Sequence, residues 1–226
     1  MAHILNAVAL KKKDSAVKGV PEKDPGKAFG NDAANGFEDR SEDRRVRKSK
    51  KALEEALIRL LAKKTITEIT VTELTEEADI HRGTFYNHYK DTMDLKIQTD
   101  RDIAAQLTEL LSSVPESALK DGPYPLLSKV LQYFEDHRDI ARMLVSESGS
   151  PHLLKELCAS ISERCMGGAF RDQSRYSSRY ATAGMQGMIV TWVEDGMRMP
   201  AGEMAQMIER MMGSSQPQAA YNPLYK

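Results

Sequence analysis

The sequence predicts an all-α protein, with a three-helix head that contains a helix-turn-helix unit and a larger helical body. Two observations carry this prediction. Apolar residues recur at intervals of three or four positions in most segments after Leu53, which is the spacing of amphipathic helices. Between Thr70 and Asp91 the pattern changes to two short helices joined by a tight turn. The chain has 226 residues, which is enough for a head and a body that share a continuous core.

The first 43 residues differ from the rest of the chain. Residues 1–43 are rich in Lys, Asp, Gly, Asn and Pro and lack a lasting apolar period, which predicts a disordered amino-terminal extension. The apolar patch at residues 4–10 is too short to cross a membrane and has no basic leader. We therefore expect a cytoplasmic protein with no membrane partner. Residues 214–226 are predicted to form a flexible tail.

The head is predicted to span residues 45–105. Its first helix ends near Lys63 and Lys64 and carries an apolar stripe of Leu53, Ala56, Leu57, Leu60 and Leu61. The helix-turn-helix motif follows at residues 70–89. Thr70 can cap its first helix, and Glu73 can reach back to complete a capping box. Asp79 and Ile80 form the break.

The second short helix is predicted from about Arg82 to Tyr89. It buries Phe85 and Tyr89, and it turns five side chains outward: Arg82, Thr84, Tyr86, Asn87 and His88. A helix of this size fits the major groove of DNA. Asp91 can cap the following helix, which runs to about Leu111 before Pro115 stops it.

The body is predicted at residues 106–213. Apolar spacing indicates helices over 127–134, over 140–145 and around the two cysteines, Cys158 and Cys165, which we interpret as reduced core thiols. Residues 171–178 are polar and are predicted to form a connection. A helix over 180–195 ends at Gly196, and Pro200 opens a final Met-rich helix.

The run from Ile80 to Asp91 resembles the recognition-helix signature of TetR-type (TetR/AcrR) transcriptional regulators, and the strong resemblance covers residues 45–105. A weaker resemblance, at residues 183–187 and 192–197, is to the body of one TetR-type subgroup. The resemblance implies an all-helical homodimer whose body binds an effector or a partner. It also implies that the final two long helices pair with their copies, so that two recognition helices meet a pseudo-palindromic operator in double-stranded DNA.

Two residues of the motif depart from the family pattern. His81 stands at a helix cap where the family usually has Ser, Thr or Asn, and Asp79 replaces a common turn glycine. The net charge of −1 shows no global attraction to nucleic acid. Basic residues are instead concentrated locally. They lie in two groups: Arg44, Arg45, Arg47, Lys48, Lys50 and Lys51, and then His81, Arg82, His88 and Lys90.

The candidate DNA-binding residues are Thr72, His81, Arg82, Gly83, Thr84, Tyr86, Asn87, His88 and Lys90. Arg82 is the best candidate for reading guanine, because its fork matches O6 and N7. Tyr86 and Lys90 are candidates for phosphate contact, although Tyr86 has the alternative of packing against the first helix. Thr72 lies at the positive end of its helix, where a phosphate is favoured.

The dimer-interface candidates are Gly184, Gly187, Met188 and Trp192. Glycine inside a helix costs roughly 1 kcal/mol against Ala, so two of them indicate close packing against another backbone. The alternative for the methionines is a core position or a ligand pocket, and the alternative for Trp192 is a core anchor. Ligand-binding residues are not assigned.

These observations predict a DNA-binding transcriptional regulator, more specifically a repressor that a small-molecule effector releases from its operator. The alternatives are an activator or co-regulator that acts through a protein partner, and a helical dimeric ligand-binding or interaction module without DNA binding. We expect no enzyme activity, cofactor or metal. The sequence contains no hydrolase elbow, glycine-rich phosphate loop or paired-His metal motif.

Overall fold

The computed structural model describes residues 32–120, 122–166 and 174–214. These residues contain nine α-helices, two 3₁₀ helices and no strand, so the all-α prediction is confirmed. The α-helices are α1 (Asp32–Leu61), α2 (Val71–Glu77), α3 (Arg82–Tyr86), α4 (Thr92–Ser112), α5 (Tyr124–Asp136), α6 (Arg138–Val145), α7 (Pro151–Met166), α8 (Ser174–Glu194) and α9 (Ala201–Ser214). The 3₁₀ helices are Ile66–Glu68 and Glu116–Leu119.

The head is formed by α1, α2, α3 and the first turns of α4. All five residues of the predicted α1 stripe are buried, and four of them (Leu53, Ala56, Leu57, Leu61) have no exposed surface. Leu74 of α2 and Phe85 of α3 are fully buried in the same core. This core continues through α4 into the body without a break.

Two predicted boundaries fall inside helices. Residues 32–43 of the predicted extension belong to α1, and residues 174–178 of the predicted connection belong to α8. Both sequence segments lack an apolar stripe, and a missing stripe does not exclude helix formation. Residues 1–31, residues 171–173 and residues 215–226 of the predicted tail lie outside the described residues.

In the body, α5 and α9 lie antiparallel and cap one another. Glu209 of α9 accepts a hydrogen bond from the amide of Tyr124, 3.2 Å away at the start of α5. Glu135 of α5 accepts one from the amide of Ala201, 3.4 Å away at the start of α9. Acidic side chains at helix amino termini satisfy free amides and complement the helix dipole. Gly122 has a φ of 140°, and a Cβ there would lie 2.5 Å from a Glu209 carboxylate oxygen.

The helix that joins head to body, α4, is fastened to α7 near each of its ends. At the head end, the buried hydroxyl of Ser150 donates to Asp100 (2.6 Å) and accepts from Lys96 (2.9 Å), and Lys96 also bonds Asp100 at 2.7 Å. Ser150 directly precedes α7. We call these three residues the Ser150 network.

At the other end of α4, Arg164 of α7 donates to the carbonyl oxygens of Leu111 and Val114. A cation at a helix carboxyl terminus is favoured by the helix dipole. The turn before α7 is also held to α6. The Ser150 amide donates to the Met143 carbonyl oxygen at 3.2 Å, and a Cβ on Gly149 would lie 2.0 Å from that oxygen.

Candidate nucleic-acid interface

The turn between α2 and α3 depends on Asp79. This residue has a φ of 52°, in the left-handed region that Asp adopts more readily than most residues. The following amide, on Ile80, donates to the carbonyl of Thr75 at 2.9 Å and so closes the carboxyl end of α2. Asp79 therefore takes the backbone role that was expected for a turn glycine.

The predicted cap of α2 is half confirmed. The Thr70 hydroxyl accepts from the amide of Glu73 at 3.2 Å, as expected. The Glu73 carboxylate does not return to Thr70; it pairs with the ammonium of Lys64. A reciprocal box forms one turn earlier, where the Thr65 amide donates to Glu68 at 2.8 Å. The prediction of a complete box at Thr70 is therefore wrong, because a long basic side chain captures its acid.

His81 caps α3 with its imidazole ring. The amide of Gly83 donates to His81 Nδ1 at 3.2 Å. A Cβ added to Gly83 would lie 3.4 Å from the same nitrogen, so the first turn of α3 is compact. His81 thus performs the capping role for which Ser, Thr or Asn was expected.

The recognition helix is shorter than predicted. α3 ends at Tyr86 rather than Tyr89, and the chain continues as a turn in which the amides of His88 and Tyr89 both donate to the carbonyl of Phe85 at 2.9 Å. Phe85 and Tyr89 are buried, as predicted. We refer to residues 81–90 as the recognition segment.

The predicted DNA-binding side chains of the recognition segment point out of the core. Tyr86 is 54% exposed, and its exposure argues against the alternative of packing against the first helix. The other exposed members are His81, Arg82, Gly83, Asn87 and Lys90, while Thr84 and His88 are half-buried. Thr72 is exposed in the first turn of α2 and lines a groove of about 500 Å³ together with His81 and Arg82. The structure therefore brings residues of both short helices to one surface.

A charged cluster behind the recognition segment was not predicted. The Tyr89 hydroxyl lies 3.5 Å from a carboxylate oxygen of Glu54 in α1, and the Lys50 ammonium lies 6.0 Å from the centre of the Tyr89 ring. Burial, and then the charge of Asp102 in α4, raise the pKa of Glu54. Burial, and then the charge of Lys50, lower the pKa of His88. The cluster joins α1, α4 and the end of the recognition segment.

The far end of the recognition segment is fixed by the cap of α4. Asp91 accepts from the amide of Asp94 at 2.7 Å, so the predicted cap is confirmed. Asp94 in turn accepts from the Lys90 amide at 3.0 Å. That backbone bond, followed by a bond from Gln98, holds the pKa of Asp94 below its ordinary value. The Lys90 backbone is therefore held while its side chain stays exposed.

The predicted dimer residues lie along a groove on α8 and α9. Gly184 and Gly187 are exposed, and nothing else in the described part of the chain comes within 4 Å of a Cβ built on either. Met188 and Trp192 also line the groove, which measures about 590 Å³ and is mostly apolar. Trp192 is buried, and its indole nitrogen donates to the Met199 carbonyl at 2.8 Å. Trp192 is thus an anchor of its own subunit whose edge reaches the groove.

Other kinds of site find little support in the described residues. They contain no group of three His, Cys, Asp or Glu side chains that is able to hold a metal ion. Burial raises the pKa of the Cys158 thiol to about 12 and that of Cys165 to about 11, so both are poor nucleophiles at neutral pH. No helix within these residues is long and apolar enough to cross a membrane.

Comparison with known protein families gives one match in the body. Residues 121–214 match a TetR carboxyl-terminal family described as the transcriptional regulator C-terminal region. YxbF of Bacillus subtilis, described as an uncharacterised helix-turn-helix transcriptional regulator, is 29% identical over 123 residues, which are 53% of this chain and 32% of YxbF. The chain spans about a third of the length of the curated relatives that it matches.

Solved structures share the fold. A TetR transcriptional regulator from Streptococcus agalactiae aligns with a TM-score of 0.54 and 19% identity, over 76% of this chain and 97% of that protein. NalD of Pseudomonas aeruginosa is described as the secondary repressor of the MexAB-OprM multidrug efflux pump. It aligns with a TM-score of 0.52 and 20% identity, over 75% of this chain and 97% of NalD. At these identities the likeness concerns the arrangement of helices.

Proposed function

We propose that this chain, whose body matches a TetR carboxyl-terminal family over residues 121–214, is a TetR-type regulator that binds double-stranded DNA as a homodimer and represses transcription until an effector releases it. One observation carries the DNA-binding proposal. A short helix capped at its start projects polar, aromatic and basic side chains from a fully packed head, with Phe85 and Tyr89 holding it from behind. A helix-turn-helix places such a helix in the major groove.

Within the recognition segment, the side chains divide by what they can reach. Arg82 stands in the first turn of α3, where a helix-turn-helix contacts base edges, and its guanidinium suits the O6 and N7 atoms of guanine. Asn87 and His81 are further candidates for base contact. Tyr86 and Lys90, both exposed, are assigned to phosphates.

The remaining candidates support the same docking. Thr72, at the amino end of α2, is assigned to a phosphate, because free amides and the helix dipole favour an anion there. Thr84 and His88 are half-buried and lie beside the exposed side chains. Gly83 has no side chain, so the backbone at the start of α3 is able to approach the duplex closely. Phosphate contacts of this kind fix register, and base contacts supply specificity.

The dimer proposal rests on the open groove of α8 and α9. Gly184 and Gly187 expose backbone that no other described part of the chain covers, and Met188 supplies adaptable apolar surface beside them. A second copy that presents the same helices across a two-fold axis buries this surface. Such an isologous pairing also sets two recognition segments at the spacing of operator half-sites.

Repression with effector release is the more specific part of the proposal, and a cytoplasmic location follows from it. NalD, a repressor by its description, shares the fold. An effector acts on this chain by binding one body conformation more tightly than another, since a ligand shifts an equilibrium only by its differential affinity. A small molecule or a partner protein meets this requirement equally.

The test uses fluorescence anisotropy with a DNA fragment selected from the host genome and with a scrambled duplex of equal length. The wild-type protein is expected to bind the scrambled duplex at low salt and the selected fragment more tightly. Arg82→Ala is expected to cost about 1–3 kcal/mol on the selected fragment and much less on the scrambled one. Lys90→Ala is expected to weaken both equally and to lower the salt slope by about one.

The control variant is Lys155→Ala, which removes an exposed cation from α7 in the body and leaves the recognition segment untouched. Equal losses for Arg82→Ala on the two duplexes remove Arg82 from base reading. A wild-type protein that stays monomeric and ignores every duplex, even in dilute buffer, refutes the proposed function as a whole.

A further inference from the structure

Residues 44–52 of α1 extend beyond the packed head. None of them is buried, and the buried stripe of α1 begins after them at Leu53. Six of the eight residues from 44 to 51 are Arg or Lys, although the whole chain has a net charge of −1. We call residues 44–51 the basic arm. Because it is part of a continuous helix, its charges are held in a fixed frame relative to the head.

The fold does not account for this concentration of charge. Arg44 and Lys48, and likewise Arg47 and Lys51, stand four residues apart on the helix, where like charges repel one another. Lys51 has a partner, Glu55, at 3.7 Å. Among the described side chains, no ion pair involves Arg44, Arg45 or Lys48. Arg44, Arg45 and Lys48 are all exposed.

The position of the arm relates it to the recognition segment. The Lys50 ammonium lies 6.0 Å from the ring centre of Tyr89, the residue that closes the turn after α3. His88 and Lys90 flank Tyr89. A helix rises about 1.5 Å per residue, so Arg44 lies roughly 9 Å along the axis from Lys50. The arm therefore begins beside the recognition segment and continues along α1 for about two turns away from it.

We infer that the basic arm is a second DNA-contact surface, in which Arg44, Arg45 and Lys48 bind phosphates of the duplex next to the groove that the recognition segment enters. This inference rests on the proposed function and adds to it a separate set of contacts. Phosphate contacts are independent of base sequence. The arm therefore raises affinity for every duplex and lengthens the protected region without changing which sequence is preferred.

The test is a triple variant, Arg44→Gln with Arg45→Gln and Lys48→Gln, called the arm variant. Gln has a helix propensity close to that of Arg and Lys, so circular dichroism should match the wild type. The matched control is Lys120→Gln with Lys129→Gln and Lys155→Gln, which removes the same charge from exposed positions of the body. Anisotropy titrations with the selected fragment and the scrambled duplex are run over a range of salt concentrations.

Each lost phosphate contact lowers the salt slope by about 0.9, so the arm variant is expected to lose two to three units on both duplexes. The control is expected to keep the wild-type slope. Hydroxyl-radical footprints of the arm variant should be shorter at their edges. Ethylation interference with the wild-type protein tests the same contacts without a variant. Ethylated phosphates beside the major-groove site should weaken binding.

The outcomes separate this inference from the proposed function. If the wild-type protein binds DNA while the arm variant keeps its slope and footprint, the arm is a solvated surface and the inference is wrong, with the proposed function intact. Equal losses in the arm variant and the control assign the effect to net charge and also overturn the inference. A wild-type protein that binds no duplex refutes both.

Discussion

Ser150 is expected to be a sensitive residue of the body. Its side chain has no exposed surface, and its hydroxyl makes two bonds to charged groups, at 2.6 Å to Asp100 and at 2.9 Å from Lys96. The side chains of Lys96 and Asp100 are themselves only 12% and 15% exposed. The change Ser150→Ala alters the volume little, but it removes one partner from each of two nearly buried charges.

The magnitude follows from those two bonds. Hydrogen bonds to charged groups contribute about 1.5–3 kcal/mol each, and removing one partner leaves the other desolvated. The direct Lys96–Asp100 bond at 2.7 Å survives and limits the loss. We therefore expect Ser150→Ala to lower the free energy of unfolding by about 2–3 kcal/mol. For a chain of this size, each kcal/mol of lost stability lowers the Tm by about 2–4 °C, so the Tm of Ser150→Ala should fall by roughly 4–12 °C.

The assay is urea and thermal unfolding followed by circular dichroism. One protein concentration is used throughout, because the proposed dimerisation would make stability depend on concentration. Ser148→Ala is the matched control: it lies two residues earlier in the same turn, and its hydroxyl makes no hydrogen bond within the described residues. It should stay within about 0.5 kcal/mol of the wild type. If the two alanine variants unfold together, the Ser150 network does not hold α4 to α7, and the reasoning fails.

Three further predictions concern the head. His81→Ala should lower the free energy of unfolding by about 0.5–2 kcal/mol, because it removes the side chain that caps α3. His81→Asn should not lower it, because Asn is itself a good cap. Urea unfolding measures both variants, and equal losses would contradict the cap. Asp79→Val should lower the free energy of unfolding by about 1–2 kcal/mol in the same assay, and Asp79→Gly should lower it by less than about 1 kcal/mol, because the φ of 52° suits glycine. A Val variant as stable as the wild type would contradict the left-handed turn. The pKa of Glu54 is raised by burial, so its contribution to stability is present below the ordinary Glu pKa and is lost as pH rises. Glu54→Gln should therefore raise the Tm at pH 7 and lose this advantage near about pH 4, whereas an equal gain at both pH values excludes ionisation as the cause.

The sequence predicts those features of the head that depend on local spacing. The α1 stripe, the burial of Phe85 and Tyr89 and the Asp91 cap involve residues within one or two helical turns of each other, and the structure confirms all three. The same periodicity places Arg82 and Tyr86 outward. Their partners in DNA remain a prediction, because side-chain exposure does not identify what is bound.

Features that depend on distant residues were not predictable from spacing. The segments Thr65–Glu68 and Thr70–Glu73 carry the same Thr-x-Thr-Glu pattern, yet the reciprocal box forms at the first alone. Glu73 forms an ion pair with Lys64 instead, and the Thr-x-Thr-Glu pattern alone does not indicate this competing partner. Similarly, Ser150 lies between two predicted helices, the one over 140–145 and the one around the cysteines. Its bonds to Lys96 and Asp100 span about fifty residues of sequence, and no pattern of spacing indicates them.

These distant contacts constrain how an effector is able to act. The first turns of α4 belong to the head, and α4 is bound to α7 through the Ser150 network at one end and through Arg164 at the other. In the proposed homodimer, a change in the spacing of the two heads would either carry α7 along with α4 or break bonds to nearly buried charges. Moving α7 together with α4 costs less free energy, because the Lys96, Asp100 and Ser150 side chains keep their hydrogen bonds. A ligand that favours one body conformation therefore needs to act where the α4–α7 pair meets its neighbours, and Ser150→Ala should weaken the mechanical link between that contact and the DNA.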